Sequence, residues 1–458
     1  MITPKSVVKG MVDRTSGGYN TVLCNQVFLP RLQSSRENTV DNSGPNYRPI
    51  TILIATGLML SISMGIRQVF GLFVQPMVKD LGLTLSDLTL AISIQNLAWG
   101  ILQPFSGALV GRFGFRPILL AGAALYVAGL GILSAANGTA SVMLGAGVLV
   151  GASLACTGSA ISQAVASRAT SGPRRSIVLG LIVGVGSLGA LAAAPLGQSV
   201  TNVYGWRAGV LAVLALASLL FPAAWVAGRV DRIPLPDTAS RNRADKSALA
   251  AMRLALHRPA FLVMTTAYFV CGMQLLFIAT HLPSYLALCG MDPMLAPEAL
   301  SCVALFNVAG SLFFGWAGSR WSKLVLLGSI YVVRSLVIAW YFAAFPTPAS
   351  TLIFASAMGF LWLGVGPLVS GAVAEMFGLR WQAMIQGIAF MSHQLGSFAG
   401  AFGGGLVFDI WGRYDLAWHV GVGLGLTAGS VQIATALIRR NPGAPTKLIP
   451  AFPAHCRE

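Results

Sequence analysis

The sequence predicts an all-α integral membrane protein with twelve transmembrane helices in two six-helix parallel repeats. Three observations predict this fold: the composition, a series of long apolar segments, and an internal duplication. Of the 458 residues, 55% are hydrophobic and only 10% are charged, and the mean hydropathy is +0.73. Ordinary soluble domains carry about 25% charged residues. A chain with so little charge is expected to lie in a bilayer.

Twelve apolar segments follow one another, each of a length that can cross a bilayer, for which about 20 residues suffice. Numbered 1 to 12 in chain order, they run near 50–78, 87–110, 116–137, 141–167, 175–203, 207–228, 260–287, 296–318, 323–345, 349–376, 382–408 and 414–438. A basic stretch divides them six and six. We therefore expect a disordered cytoplasmic tail at 1–49, six-helix bundles at 50–228 and 260–440, a cytoplasmic linker at 229–259 and a second tail at 441–458.

The basic residues are concentrated in alternate loops. With both termini inside, the outer loops hold only Lys79, Arg207 and Arg413, and the other basic loop residues are cytoplasmic. An excess of Lys and Arg marks the cytoplasmic loops of membrane proteins. The net charge of +16 therefore reflects topology rather than a groove for nucleic acid. We expect a multi-pass protein of the cell inner membrane with both termini in the cytoplasm.

Neither a cofactor nor a metal is expected. The six cysteines are scattered, and no pair has the spacing of metal ligands or indicates a disulfide framework: Cys24, Cys156, Cys271, Cys289, Cys302 and Cys456. No cluster of acids or histidines suited to catalysis is visible at a membrane face. The sequence therefore argues against an enzyme.

Two pairs of segments match at one offset of 207 residues. In segments 1 and 7, glycine, phenylalanine and proline recur at identical spacing, and Arg67 falls opposite Gln274. In segments 5 and 11, seven positions coincide between Gly180 and Gly205 and their counterparts. Because six spans per unit is an even number, both units enter the membrane the same way up. Such parallel repeats are typical of proteins with a ligand site between the halves.

Arg67 lies near mid-bilayer in segment 1, where an arginine costs about 2.5–3.5 kcal/mol on insertion scales. Its guanidinium either binds a carboxylate through two parallel charge-assisted bonds or is a structural group tied to backbone carbonyls or to Asn96. Segment ends apart, the N-terminal spans contain no Asp or Glu. The missing counter-ion favours the first alternative, with Gln274, the repeat partner of Arg67, helping to orient the carboxylate.

Six further polar residues complete the candidate set. Arg334 in segment 9 is either a strut of the C-terminal half, with Glu375 as its partner, or a second cation for the ligand. His393 in segment 11 either bonds the ligand or carries a proton, since histidine titrates near neutral pH. Asn96, Tyr268 and Gln394 offer uncharged hydrogen-bonding groups. Glu375, at the inner end of segment 10, is expected to act at a gate or at the helix end.

The loop after segment 2 carries a motif of glycines and arginines: Gly107, Gly111, Arg112, Gly114 and Arg116. This motif, the six-plus-six arrangement and the basic central loop resemble the major facilitator superfamily over about residues 50–440. In that family an aspartate stands where this chain has Gly111. The resemblance implies that Gly107, Arg112, Gly114 and Arg116 take part in gating.

The surroundings of Arg67, and the stretch from Cys271 to Pro283, look similar to the bacterial monocarboxylate and oxalate/formate transporter branch. This resemblance implies a secondary active transporter of a small organic anion, monocarboxylate-like, that works by alternating access as a monomer. Its partners would be the anion and the lipid bilayer, with proton coupling left open. Two alternatives stay open: an exporter of drugs or metabolites with the same fold, and a polytopic membrane sensor or enzyme.

The first prediction concerns orientation. A reporter enzyme that is active only outside the cytoplasm, fused after residue 245, should show background activity, because the basic linker is expected to be cytoplasmic. The same reporter fused after residue 290, in a loop predicted to be outside, serves as the positive control. Strong activity at residue 245 would reverse the predicted orientation.

Overall fold

A computed structural model describes residues 49–172, 174–235, 247–292, 294–343 and 345–438. These ranges are helices joined by short turns, with no β-strand among them. The tail predicted at 1–49, except for its last residue, lies outside the described residues. So do the tail predicted at 441–458 and the middle of the predicted linker, 236–246.

Twelve long helices, α1 to α12, follow the twelve predicted segments in order. They run Pro49–Leu81, Leu85–Phe113, Phe115–Ser134, Thr139–Ala169, Arg174–Tyr204, Trp206–Arg232, Pro259–Leu288, Leu295–Arg320, Lys323–Phe342, Pro348–Phe377, Gln382–Trp411 and Asp415–Ile438. Within the described ranges, nine are long and apolar enough to cross a membrane. The other three, α2, α5 and α11, are long enough by their 29, 31 and 30 residues. A short linker helix, Ala248–Leu256, precedes α7.

Local sequence signals set the ends of several helices. Before α2, the side chain of Thr84 accepts a hydrogen bond from the backbone of Asp87, whose carboxylate accepts one in return from the backbone of Thr84. The turns after α5 and α11 contain Gly205 and Gly412, with φ of 83° and 66°. Side chains disfavour that region of φ, so glycine is required there. Since these two glycines are repeat partners, the duplication is confirmed in the turns as well as in the helix order.

Two repeat-related helices are interrupted at the same place, which the sequence pattern did not predict. α4 is interrupted at Gly158, where the backbone is extended (φ −74°, ψ −169°). α10 is interrupted between Trp362 and Val365. Adding the offset of 207 places Gly158 on Val365. An interrupted helix frees backbone groups that must find partners inside the protein, because lipid offers none.

The N-terminal half, α1–α6, meets the C-terminal half, α7–α12, through two close helix crossings. In the crossing of α2 with α11, a Cβ added to Gly107 would lie 2.4 Å from the backbone of Ala383. In the crossing of α5 with α8, a Cβ added to Gly180 would lie 2.5 Å from the carbonyl oxygen of Ser311. Both crossings lie toward the end of the bundle where α2 joins α3 and α10 joins α11, called here the linker face. Only glycine allows these backbones to approach so closely.

Buried amide side chains join the halves beside these crossings. Gln382 of α11 donates to the hydroxyl of Ser167 on α4 at 2.9 Å and to Ser370 on α10. Deeper in the bundle, Gln386 donates to the side-chain oxygen of Gln163 at 3.5 Å. All of these groups are buried. The linker face is therefore closed by contacts between the two halves.

The second prediction tests this closure. A leucine in place of Gly107 should force α2 and α11 apart, because overpacking costs about 1–3 kcal/mol. In a background without native cysteines, a cysteine replacing the buried Ser167 should then react with a maleimide about tenfold faster or more. The matched control is Gly71→Leu, where an added Cβ meets nothing within 4 Å. Equal reaction rates in both variants would show that the crossing does not hold the face closed.

Candidate functional site

Arg67 of α1 is half-buried and only partly satisfied. Its Nη2 donates to Oδ1 of Asn96 at 2.7 Å, and its guanidinium lies 5.3 Å from the ring centre of Trp99. Its Nε is buried without a hydrogen-bond partner. Among the residues the structure describes, no carboxylate forms an ion pair with Arg67. The guanidinium therefore keeps donor capacity for another acceptor.

The partners of Arg67 come from one face of α2. Asn96 and Trp99 are three residues apart, a spacing that puts side chains on the same side of a helix. The Nδ2 of Asn96 donates to the carbonyl of Ile92 at 3.0 Å, which leaves the amide oxygen for Arg67. Asn96 is thus oriented by its own helix before any ligand arrives.

The interruption of α4 fixes Trp99. An added Cβ on Gly158 would lie 3.2 Å from the indole ring. The indole Nε1 donates to Oε1 of Gln103 at 3.0 Å, and Gln103 donates to the carbonyl of Ala155 at 2.9 Å. Ala155 lies in the last turn before the interruption. Trp99 is therefore held on both sides by the irregular part of α4.

The C-terminal half reaches this group through α11. Gln394 donates to the backbone carbonyl of Asn96 at 3.2 Å. The ring of Phe390 lies 4.6 Å from the ring of Trp99, measured between centroids. These contacts join residues about 300 positions apart (298 between Asn96 and Gln394), so the surroundings of Arg67 are shared by both halves.

His393 extends the group toward α7. Its Nδ1 lies 3.3 Å from Oε1 of Gln394, and since an amide oxygen only accepts, this nitrogen carries the proton in that bond. The ring centre of His393 lies 4.5 Å from that of Tyr268 and 5.8 Å from that of Phe390. The central cluster is the set Arg67, Asn96, Trp99, Tyr268, Phe390, His393 and Gln394.

The cluster includes five of the seven residues that the sequence singled out as ligands, and two it did not. Trp99 and Phe390 were missed because aromatic residues in a membrane span are usually packing groups. A helical signal was present, since each lies three residues from a candidate, Asn96 or His393, and therefore on the same helix face.

Gln274 is predicted to orient a carboxylate beside Arg67, but its amide bonds to other residues of the C-terminal half. It is 3% exposed, and its Nε2 donates to the hydroxyl of Ser335 on α9 at 3.1 Å and to the carbonyl of Gly421 on α12 at 2.8 Å. These bonds hold the side chain inside the C-terminal half. Repeat-equivalent positions therefore carry side chains with different neighbours.

Arg334 is fully buried in the C-terminal half. Its Nη2 donates to the carbonyl of Leu361 at 2.5 Å, and its Nη1 lies 3.0 Å from the sulfur of Cys271. Leu361 lies just before the interruption of α10, so Arg334 satisfies a carbonyl in the irregular stretch. The idea that Glu375 pairs with Arg334 is wrong, because the carboxylate of Glu375 pairs with Lys323 at 2.5 Å.

The predicted gating residues line the linker face. Gly111, which stands where the related family has aspartate, packs against the ring of Trp381 on the opposite half. Gly114 forms the turn between α2 and α3 with φ of 87°. Arg112 is exposed, and the backbone of Arg116 donates to Asp231 at 2.9 Å. The motif therefore includes a close glycine–tryptophan contact between the two halves.

No site for a metal is formed within the described ranges, since no group of three or more His, Cys, Asp or Glu side chains is placed to hold an ion. Two ionisable side chains of the central cluster bond to neutral partners, Arg67 to Asn96 and His393 to Gln394.

Comparison with known proteins identifies relatives of this architecture. Residues 56–401 match the family model described as the Major Facilitator Superfamily. The chain is 26% identical over 389 residues to monocarboxylate transporter 13 of Bos taurus, covering 84% of this chain and 88% of that protein. It is 25% identical over 370 residues to the oxalate:formate antiporter of Oxalobacter formigenes, covering 78% and 83%.

A solved structure shows the same fold. The fucose:proton symporter FucP of E. coli superposes with a TM-score of 0.66 over 86% of this chain and 99% of that chain, at 15% sequence identity. Together with the family model, this likeness confirms the twelve-helix fold predicted from the sequence.

The third prediction separates the two intramembrane arginines by stability. Arg334→Ala should lower the free energy of unfolding by about 1–3 kcal/mol, because the buried carbonyl of Leu361 loses its partner. Arg67→Ala should stay close to wild type, since it leaves only a half-buried amide oxygen unpaired. The measurement is thermal unfolding in detergent, with exposed Arg112→Ala as the control. A larger loss for Arg67→Ala than for Arg334→Ala would contradict these assignments.

Proposed function

The chain belongs to the Major Facilitator Superfamily, and we propose that it is a secondary active transporter that moves a small monocarboxylate anion by alternating access. Because this is a family of membrane transporters, the enzyme alternative is set aside. The relatives named above transport monocarboxylates or exchange oxalate and formate, as their names state. The substrate is argued below from the residues of this chain.

A single observation carries the proposal: Arg67 is a half-buried cation without a carboxylate partner in the described chain. An arginine inside a membrane span is costly, so a favourable interaction must offset the free energy of taking its guanidinium out of water. Asn96 supplies one neutral acceptor, and the buried Nε has none. A substrate carboxylate would complete these bonds with the two-pronged geometry that guanidinium favours.

The charge available favours one carboxylate rather than two. The second intramembrane arginine, Arg334, is fully buried and already bonded to Leu361 and Cys271. A dicarboxylate would leave its second charge beside neutral groups, which is costly away from water. A monocarboxylate with an apolar body fits better, because the cluster itself contains the rings of Trp99, Phe390 and Tyr268.

The contacts between the halves support alternating access. The crossings at Gly107 and Gly180 close the linker face, and the central cluster lies beyond them toward the opposite face. With the orientation predicted from the basic loops, the anion would enter from outside and reach Arg67 first. Since Gln394 and Phe390 belong to the other half, a bound anion would draw both halves together around it.

The remaining roles follow from position. Gly107, Gly114, Arg112 and Arg116 would form the gate at the linker face, with the Glu375–Lys323 pair bracing α10 against α9. His393 is the one imidazole in the central cluster, which keeps it a candidate for substrate bonding or for a coupled proton. The expected setting is the cell inner membrane, with both termini in the cytoplasm and the protein acting as a monomer.

The alternative of a drug or metabolite exporter with the same fold has less support. Cationic drugs need an anionic group in the binding site, and the central cluster contains none. Its one permanent charge is positive. An uncharged metabolite would leave Arg67 without a counter-charge.

The fourth prediction tests the anion site. Binding of benzoate to purified protein, and its uptake into proteoliposomes, should be abolished in Arg67→Ala and Arg67→Gln. Arg67→Lys keeps the charge but loses the paired geometry, so affinity should fall about 10- to 100-fold, the value of one charge-assisted bond. Oxalate should compete weakly in the wild type, and benzyl alcohol should not compete.

Exposed Arg253→Gln, in the linker helix, is the matched control and should transport like the wild type. Melting temperatures of all variants separate loss of binding from loss of fold. A stable Arg67→Gln variant that transports benzoate at the wild-type rate would refute the anion site.

A further inference from the structure

A cavity of about 200 Å³ lies within the C-terminal half, between α7, α9, α11 and α12. None of its lining residues belongs to the central cluster. Apart from the amide of Gln274, its wall is made of apolar side chains and glycine backbone. The larger apolar side chains are Met273, Phe277, Ile278, Ile338, Val407, Leu416, Trp418 and Val420. No charged side chain lines it. The cavity is thus a separate feature that transport of an anion does not explain.

The one side-chain amide of the lining, that of Gln274, has an unused acceptor. The residue is 3% exposed, and its Nε2 donates to Ser335 and to the carbonyl of Gly421. Because a carbonyl only accepts, the amide nitrogen must face Gly421, and this fixes the position of Oε1. That oxygen is buried and has no hydrogen-bond partner among the described residues. An unsatisfied buried acceptor costs about 1–3 kcal/mol.

Water alone does not suit this space. A buried water typically makes about three hydrogen bonds and takes up about 30 Å³. Several waters would be needed to fill this space, but its lining has two unsatisfied side-chain polar atoms, Oε1 of Gln274 and the indole Nε1 of Trp418. Apolar cavities of about 150 Å³ accept benzene-sized molecules. A ring-sized apolar body with one donor would fill the volume and satisfy the oxygen together.

We propose that this cavity binds an uncharged small amphiphile, with its hydroxyl group donating to Oε1 of Gln274 and its apolar body against Phe277 and Trp418. The cavity is preformed, because α7 and α11 cross tightly beside it. A Cβ added to Gly400 would lie 2.1 Å from the carbonyl oxygen of Met273. The site is independent of the anion site at Arg67, so either can fail without the other.

Two glycines of α12 give a matched pair for the test. Gly421 lines the cavity and Gly423 does not, and an added Cβ at either position meets nothing within 4 Å. Gly421→Leu should fill the cavity without a clash, whereas Gly423→Leu adds the same side chain outside it. Both variants are therefore expected to fold.

The measurement is fluorine NMR line broadening of para-fluorobenzyl alcohol by the purified protein, with para-fluorotoluene as the probe that lacks a donor. Wild type and Gly423→Leu should broaden the alcohol signal equally, and Gly421→Leu should not. The alcohol should bind the wild type about 3- to 10-fold more tightly than the toluene, the value of one hydrogen bond. Gln274→Leu should remove that preference.

Equal broadening by Gly421→Leu and Gly423→Leu would show that the probe binds elsewhere and would overturn the proposal. Equal affinity of the wild type for the two probes would overturn the role of Gln274. Benzoate binding at Arg67 should be unchanged in both glycine variants, so this result does not depend on the outcome of the anion-site experiment.

Discussion

Placing guanidinium groups inside a bilayer is the constraint on which the rest of this structure depends. The protein meets it in two ways. Arg334 is fully buried and donates to the carbonyl of Leu361 in the irregular stretch of α10. Arg67 is half-buried, with one bond to Asn96 and a buried Nε that has no partner. Because the Nε of each arginine lacks a partner, burial is what separates them: the fully buried Arg334 is suited to a structural role, and the half-buried Arg67 is suited to binding.

The interruptions of α4 and α10 connect the repeat to the site. Each frees backbone groups at an equivalent point, and each half satisfies them with different chemistry. In the N-terminal half, Gln103 bonds the carbonyl of Ala155 and also holds Trp99 beside Arg67. In the C-terminal half, Arg334 donates to the carbonyl of Leu361, and the side-chain oxygen of Asn307 accepts from the backbone of Leu363 at 3.0 Å. The equivalent interruptions are thus satisfied by a neutral amide in one half and by an arginine and an amide in the other.

The two halves meet through contacts of different kinds along the bundle. At the linker face, glycines let backbones touch, and buried amides such as Gln382 bond across the boundary. Deeper in, the contacts are the Trp99–Phe390 ring pair and the bond from Gln394 to Asn96. A ligand held by Arg67 would therefore act on the boundary at its central layer, next to the contacts that close the linker face.

The sequence by itself determined the membrane class, the order of the twelve helices and the duplication, because these depend on residue type and on spacing along the chain. It also identified Arg67 and Asn96 as candidate ligand-binding residues, because a charge without a counter-ion and an amide are unusual in apolar segments. Only the tertiary structure decided which polar groups meet. Gln274 and Arg67 are equivalent in sequence but have different neighbours, and Phe390 reaches Trp99 only where α2 and α11 cross. Neighbours around a helix come from distant segments, so periodicity along one helix cannot specify them.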